Sequence, residues 1–138
     1  MSGCLSGSWT HYGRVSFMAD ILLIDDNVAM RRLVSRILTA EGHRVTEASG
    51  GSEGLAEFRR ARPAMVITDI VMERGEGIET IREMRREAPV IPILAMSGSG
   101  VLFLQAAKLL GASSTIEKPF FPDDLLAVVD DLLAQDAS

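Results

Sequence analysis

Asp25, Asp26, Asp69, Ser97 and Lys118 have side chains that suit one chemistry, and each lies at or just beyond the end of a short apolar run. Asp25-Asp26 follow Ile21-Leu22-Leu23-Ile24, Asp69 follows Met65-Val66-Ile67-Thr68, Ser97 follows residues 91–96, and Lys118-Pro119 follow a weaker run at 113–117. Singly, each has a plain structural explanation. Acidic pairs cap helices, an Asp can terminate a strand, Ser before Gly forms turns, and Lys before Pro is a solvated surface group. Brought together, they form something else. Three converging carboxylates repel one another and raise at least one pKa unless a cation or an ammonium offsets them. Oxygen donors without His or Cys suit a hard ion, Mg²⁺ better than Zn²⁺. Such a site can transfer phosphoryl groups: one carboxylate attacks phosphorus, the metal and an ammonium neutralise charge, and a hydroxyl donates a hydrogen bond to the transferred group.

Whether these residues meet depends on the elements between them. From Asp20 onward, apolar runs alternate with amphipathic stretches. Continuous runs such as residues 21–24 and 65–68 mark strands buried on both faces of a parallel sheet. Residues 43–48, 91–96 and 113–117 supply the other strands. Asn27 can cap a first helix, whose Met30, Leu33, Val34, Ile37 and Leu38 share one face until Gly42 stops it. Residues 52–60 form a second helix that ends before Pro63, and Ile78, Ile81 and Met84 mark a third. Residues 101–110 form a fourth, with Gly111 beyond its end. Leu125, Val128, Val129, Leu132 and Leu133 mark a fifth, its start favoured by Pro122 and Asp123-Asp124. Strict strand and helix alternation predicts an α/β, doubly wound parallel sheet. In such sheets function collects at the carboxyl ends of the strands, where all five residues fall.

Composition narrows the alternatives. The chain of 138 residues has room for one domain, and 47% hydrophobic residues can bury a core. Its net charge of -5 opposes general nucleic-acid binding. A single cysteine, Cys4, excludes an intramolecular disulfide or a thiolate cluster and fits a reducing cytoplasm. No apolar run approaches the roughly 20 residues that span a bilayer, so no membrane partner is expected. Residues 1–17 are rich in Gly and Ser, without period or secretory pattern. The division is therefore a flexible extension at 1–18 and one domain at 19–136.

The motifs I-L-L-I-D-D at 21–26, T-D-I-V-M at 68–72, A-M-S-G at 95–98, G-A at 111–112 and E-K-P-F at 117–120 stand in an order and spacing that resemble the receiver domain of two-component response regulators. The resemblance implies a flavodoxin-like, CheY-like fold with strand order 2-1-3-4-5. It implies Asp69 as phosphoacceptor, with Asp26, Asp69 and the Val71 carbonyl binding Mg²⁺ directly and Asp25 through water. It also implies Ser97 as the hydroxyl switch residue, Lys118 as the phosphate-pairing lysine, and a cis bond before Pro119. Three departures stand out. Thr115 occupies a switch position that is often aromatic, Glu73 replaces a common proline, and the stretch from Ser97 to Gly111 is about one residue short of the commonest pattern.

Two surfaces suggest partners. Arg31, Arg32 and Arg36 are read as lying opposite the apolar stripe of the first helix, on the element the family uses to meet its phosphodonor. Val101-Leu102-Phe103-Leu104 cannot all be hidden by one amphipathic helix, so Phe103 marks a patch for a target or a weak homodimer. The expectation is a single-domain, cytoplasmic signalling switch, not a metabolic enzyme. It would be phosphorylated by a sensor histidine kinase or histidine phosphotransfer protein and act on another protein. The alternative is a receiver-like interaction module that does not depend on phosphorylation. A flavin-binding flavodoxin would need a phosphate loop that Asp25-Asp26 would repel, and a phosphohydrolase would usually carry a second Asp where Val71 stands.

Overall fold

Apolar runs flanked by amphipathic helices can be buried only if helices cover both faces of the sheet, and a computed structural model of the chain has that arrangement. It describes residues 18–72, 77–98 and 101–137, excepting the side chains of 101–103, 136 and 137. The elements alternate as β1 (Asp20–Ile24), α1 (Val28–Ala40), β2 (Arg44–Ala48), α2 (Gly51–Arg60), β3 (Met65–Asp69), α3 (Gly77–Glu87), β4 (Ile93–Ser97), α4 (Val101–Leu110), β5 (Ser114–Glu117) and α5 (Pro122–Ala137). The strands form one parallel sheet in the order β2-β1-β3-β4-β5. The expected fold and strand order are therefore those observed. Phe103 and Glu73 lie outside the described side chains, as do residues 1–17.

Side-chain alternation assigns each apolar strand residue to one of two cores. Leu22, Ile24, Val66, Ile93 and Ala95 pack with Phe58 of α2, Ile81 and Met84 of α3, and Leu104 of α4. Ile21, Leu23, Met65, Ile67, Leu94 and Met96 pack with Val34 and Leu38 of α1 and with Leu125, Leu126 and Val129 of α5. Both parities are apolar, so the strands read as unbroken hydrophobic runs.

Several boundaries and faces differ from expectation. The fourth strand begins at Ile93, not at residue 91, and it includes Ser97. The second begins at Arg44, because the His43 N–H is still donated to the Leu38 carbonyl of α1 at 3.2 Å; the buried His43 ring uses Nδ1 to accept the Ala19 N–H at 3.2 Å. The second helix begins at Gly51 and the fifth strand at Ser114. In α1 the Asn27 side chain accepts the Met30 N–H at 2.9 Å, as a cap should. Gly42 then turns the chain at φ 96°, a left-handed conformation that favours glycine. Leu33, expected on the buried stripe, is 52% exposed. At 100° per residue it sits roughly 100° from Val34, on the flank of the stripe.

Gly77 opens α3 against the chain leaving β3. A Cβ at this position would overlap the carbonyl of Ile70, the residue after Asp69. Gly77→Ala is expected to lower stability by about 1–3 kcal/mol in urea unfolding, as for other overpacked sites. An unchanged midpoint would show that this junction has slack.

Candidate functional site

Strand parity explains which side chains can meet. Asp25 and Asp69 continue the Ile21-Leu23 and Met65-Ile67 rows toward the α1 and α5 face, and Lys118 continues from Ile116, which packs in the same core. Ser97 and Thr115 have the opposite parity and belong to the α4 face. The register sets Ile24 beside Thr68, Asp69 beside Met96 and Ser97 beside Glu117, so the strands end close together.

At that edge the Lys118 ammonium lies 3.2 Å from Asp25 Oδ2 and 3.4 Å from Asp69 Oδ1. Asp25 is fully buried and Asp69 is 6% exposed, while Asp26 is half-buried. Asp25, Asp26 and Asp69 each offer an oxygen within 4.8 Å of the others, a separation that one small cation can bridge. Ser97 is buried, and its carbonyl accepts the Lys118 N–H at 2.9 Å. The Lys118–Pro119 peptide is cis. Val71 lies two residues beyond Asp69 and is partly exposed. Thr115, half-buried on β5, borders a groove of about 530 Å³ with Leu104, Gln105, Lys108 and Leu109 of α4.

One ammonium faces three carboxylates. Burial pushes the Asp69 carboxyl up to about 6 from an ordinary 3.8; Lys118 opposes this rise, and the charges of Asp25 and Asp26 add to it. The donor set is all oxygen and carries more negative charge than Lys118 offsets, so the residues fit a hard divalent ion.

The profile of the response regulator receiver domain matches residues 21–130. The chain belongs to that family. The "Probable transcriptional regulator ycf27" of Pyropia yezoensis is 34% identical over 114 residues, which are 82% of this chain and 46% of the relative. This receiver thus spans less than half the length of that curated relative. Among solved structures, the receiver domain of NtrX from Brucella abortus superimposes with a TM-score of 0.80 at 34% identity, covering 83% of this chain and 98% of that one. Chemotaxis protein CheY4 of Vibrio cholerae gives 0.78 at 31%, covering 84% and 99%.

The receiver brings together Asp25, Asp26, Asp69 and Lys118. It holds Ser97 at the same edge through the β4 end and leaves Thr115 on the α4 side. One surface assignment needs correction. Arg31 does not lie opposite the apolar stripe with the exposed Arg32 and Arg36: its side chain is only 12% exposed. Three residues before Val34 on a 3.6-residue helix, it sits roughly 60° from Val34, at the edge of the buried face. There Nε donates to Glu47 Oε1 at 2.9 Å and a terminal nitrogen donates to the Asp25 carbonyl at 2.8 Å. Sequence reasoning missed this pair. The available signal was Glu47, an acidic residue at the end of a strand next to β1.

Asp69 gives a pH test. Its folded pKa lies above its ordinary value, so the native state holds the proton between about 3.8 and 6. Stability in metal-free buffer therefore falls as pH rises through that window, and the penalty is complete above it. Asp69→Asn is expected to stabilise the metal-free protein by roughly 2–3 kcal/mol at pH 7.5 and to give no gain below pH 4, read from denaturation midpoints. An equal effect at both pH values would contradict a strained carboxylate.

Proposed function

We propose that the chain is a phospho-accepting switch of two-component signalling, with Asp69 as the acceptor. The observation that carries this reading is the convergence of Asp25, Asp26 and Asp69 around the Lys118 ammonium, within the matched family region. Asp26, Asp69 and the Val71 carbonyl would hold Mg²⁺, with Asp25 acting through water. Bound there, the ion supplies charge neutralisation for the phosphoryl oxygens.

The chain's own groups do the rest. A carboxylate oxygen of Asp69 attacks the phosphorus of a phosphohistidine on a sensor kinase or phosphotransfer protein. The P–N bond breaks, the imidazole leaves, and a mixed anhydride remains on Asp69. Lys118, held by Asp25, stands beside the acceptor to pair with the added charge, and the Ser97 hydroxyl supplies a donor at the same edge. Attack of water on the phosphorus then releases phosphate and restores the carboxylate. The new charge biases the region from α4 to β5, where Thr115 and the groove beside it provide the responsive surface. The output passes to another protein that docks on this region. Arg32, Arg36 and the 76% exposed Phe121 lie on α1 and the β5-to-α5 loop, where the phosphodonor would approach.

Among the described residues no helix is long and apolar enough to cross a membrane. Incubation with a small acyl phosphate is expected to add one phosphoryl group in mass only when Mg²⁺ is present. The adduct should be absent from Asp69→Asn and lost when the metal is chelated. No adduct in the parent protein under any of these conditions would favour an interaction module that works without phosphorylation.

A further inference from the structure

The Asp25–Asp26 peptide must be aimed before either carboxylate can bind a cation, and Asp25 is held at every polar group. Its N–H donates to the Ala48 carbonyl at 3.1 Å, Oδ1 accepts the Asn27 N–H at 3.0 Å, and Oδ2 faces Lys118 at 3.2 Å. Its carbonyl points beyond the paired part of β1 and takes the Arg31 guanidinium at 2.8 Å. That carbonyl belongs to the peptide plane that carries the Asp26 N–H and ends at its Cα, so fixing it places the point from which the Asp26 side chain leaves the backbone. Glu47 holds the other side of the same guanidinium at 2.9 Å, which anchors the fork to β2.

Resting on the proposed metal reading, we infer that Arg31 and Glu47 are a positioning pair for the cation site. Arg31 locks the Asp25–Asp26 peptide, and Glu47 keeps the guanidinium from turning to the carboxylates, where it would compete with the ion. The planar fork matters because one group must meet a carbonyl and a carboxylate in fixed directions, which an ammonium on a flexible stem does not do. A simple field effect predicts the reverse. Arg31 is a cation beside Asp25, so its removal by Coulomb attraction alone would tighten divalent binding.

The experiment is a Mg²⁺ titration of the full chain by calorimetry and by amide chemical shifts, on the parent, Arg31→Gln, Arg31→Lys and Glu47→Gln. Thermal midpoints in chelator are measured in parallel. The parent should bind, and Arg31→Gln and Arg31→Lys should each weaken binding roughly tenfold, the scale found for groups that orient metal ligands. Glu47→Gln should weaken it by less. The amide shifts of residues 25–27 should move in the metal-free variants. A purely structural role would lower the midpoints and leave the affinity of the folded protein unchanged, which would overturn the inference. Equal or tighter binding by Arg31→Gln, or parent-like binding by Arg31→Lys, would overturn it too. If Arg31→Gln does not fold, the Lys and Glu47 variants decide. A parent that binds no Mg²⁺ would instead remove the metal reading and this inference with it.

Discussion

One ammonium set among three carboxylates is the constraint around which this fold is organised. The Lys118 amine touches Asp25 and Asp69 at 3.2 and 3.4 Å, yet burial still holds the Asp69 carboxyl up at about 6. A site compensated by several cations would be quieter and would have no reason to take up a divalent ion or a charged group. A site without Lys118 would lose the charge that opposes the rise of the Asp69 carboxyl. The structure lies between these limits. The negative charge that remains makes the site receptive to a metal and to chemistry at a carboxylate oxygen, at some cost in stability to the metal-free protein.

The sheet makes that balance possible. Lys118 follows Asp25 by 93 positions, and only a parallel sheet with β1, β3, β4 and β5 in register can bring them together. The same parity that sends Ile21, Leu23, Met65, Ile67 and Ile116 toward α1 and α5 sends Asp25, Asp69 and Lys118 there when the strands end. The site is an extension of the apolar rows, with charged residues replacing aliphatic ones where the strands reach solvent. Asp25 is correspondingly as buried as the core residues that precede it, and Asp69 nearly so.

That continuity accounts for what was legible in the sequence. Unbroken apolar runs ending in Asp or Lys carry both the strand and the position of its end, so the fold and the convergence of Asp25, Asp26, Asp69 and Lys118 could be read from the chain alone. Arg31 could not be placed in this way. Helical position leaves a residue at the edge of a stripe free to turn outward or inward, and the choice here is made by Glu47, whose nearness follows from β1–β2 register. Leu33 fails for the same reason on the opposite flank of α1: it has the right residue type and roughly the right spacing, but among the described residues it is left about half exposed. Strand starts were also blurred. Ile91 and His43 are apolar or buried and extend the pattern, while the ladders begin at Ile93 and Arg44.

The opposite parity of Ser97 and Thr115 carries the last consequence of this arrangement. A change of charge at Asp69 arises on the α1 and α5 side of the sheet, whereas the α4 groove beside Thr115 lies on the other. A direct contact between the two is the end of β4, where the Ser97 carbonyl accepts the Lys118 N–H. Lys118 thus reaches the acidic cluster through its side chain and the α4-facing strand through its backbone. An aromatic ring at position 115 could report a shift in this region by moving between two packings. Thr115 is too small to do so, and the groove of about 530 Å³ beside it lies open. What joins the acidic edge to the α4 face here is the backbone of β4 and β5, at the Ser97–Lys118 hydrogen bond.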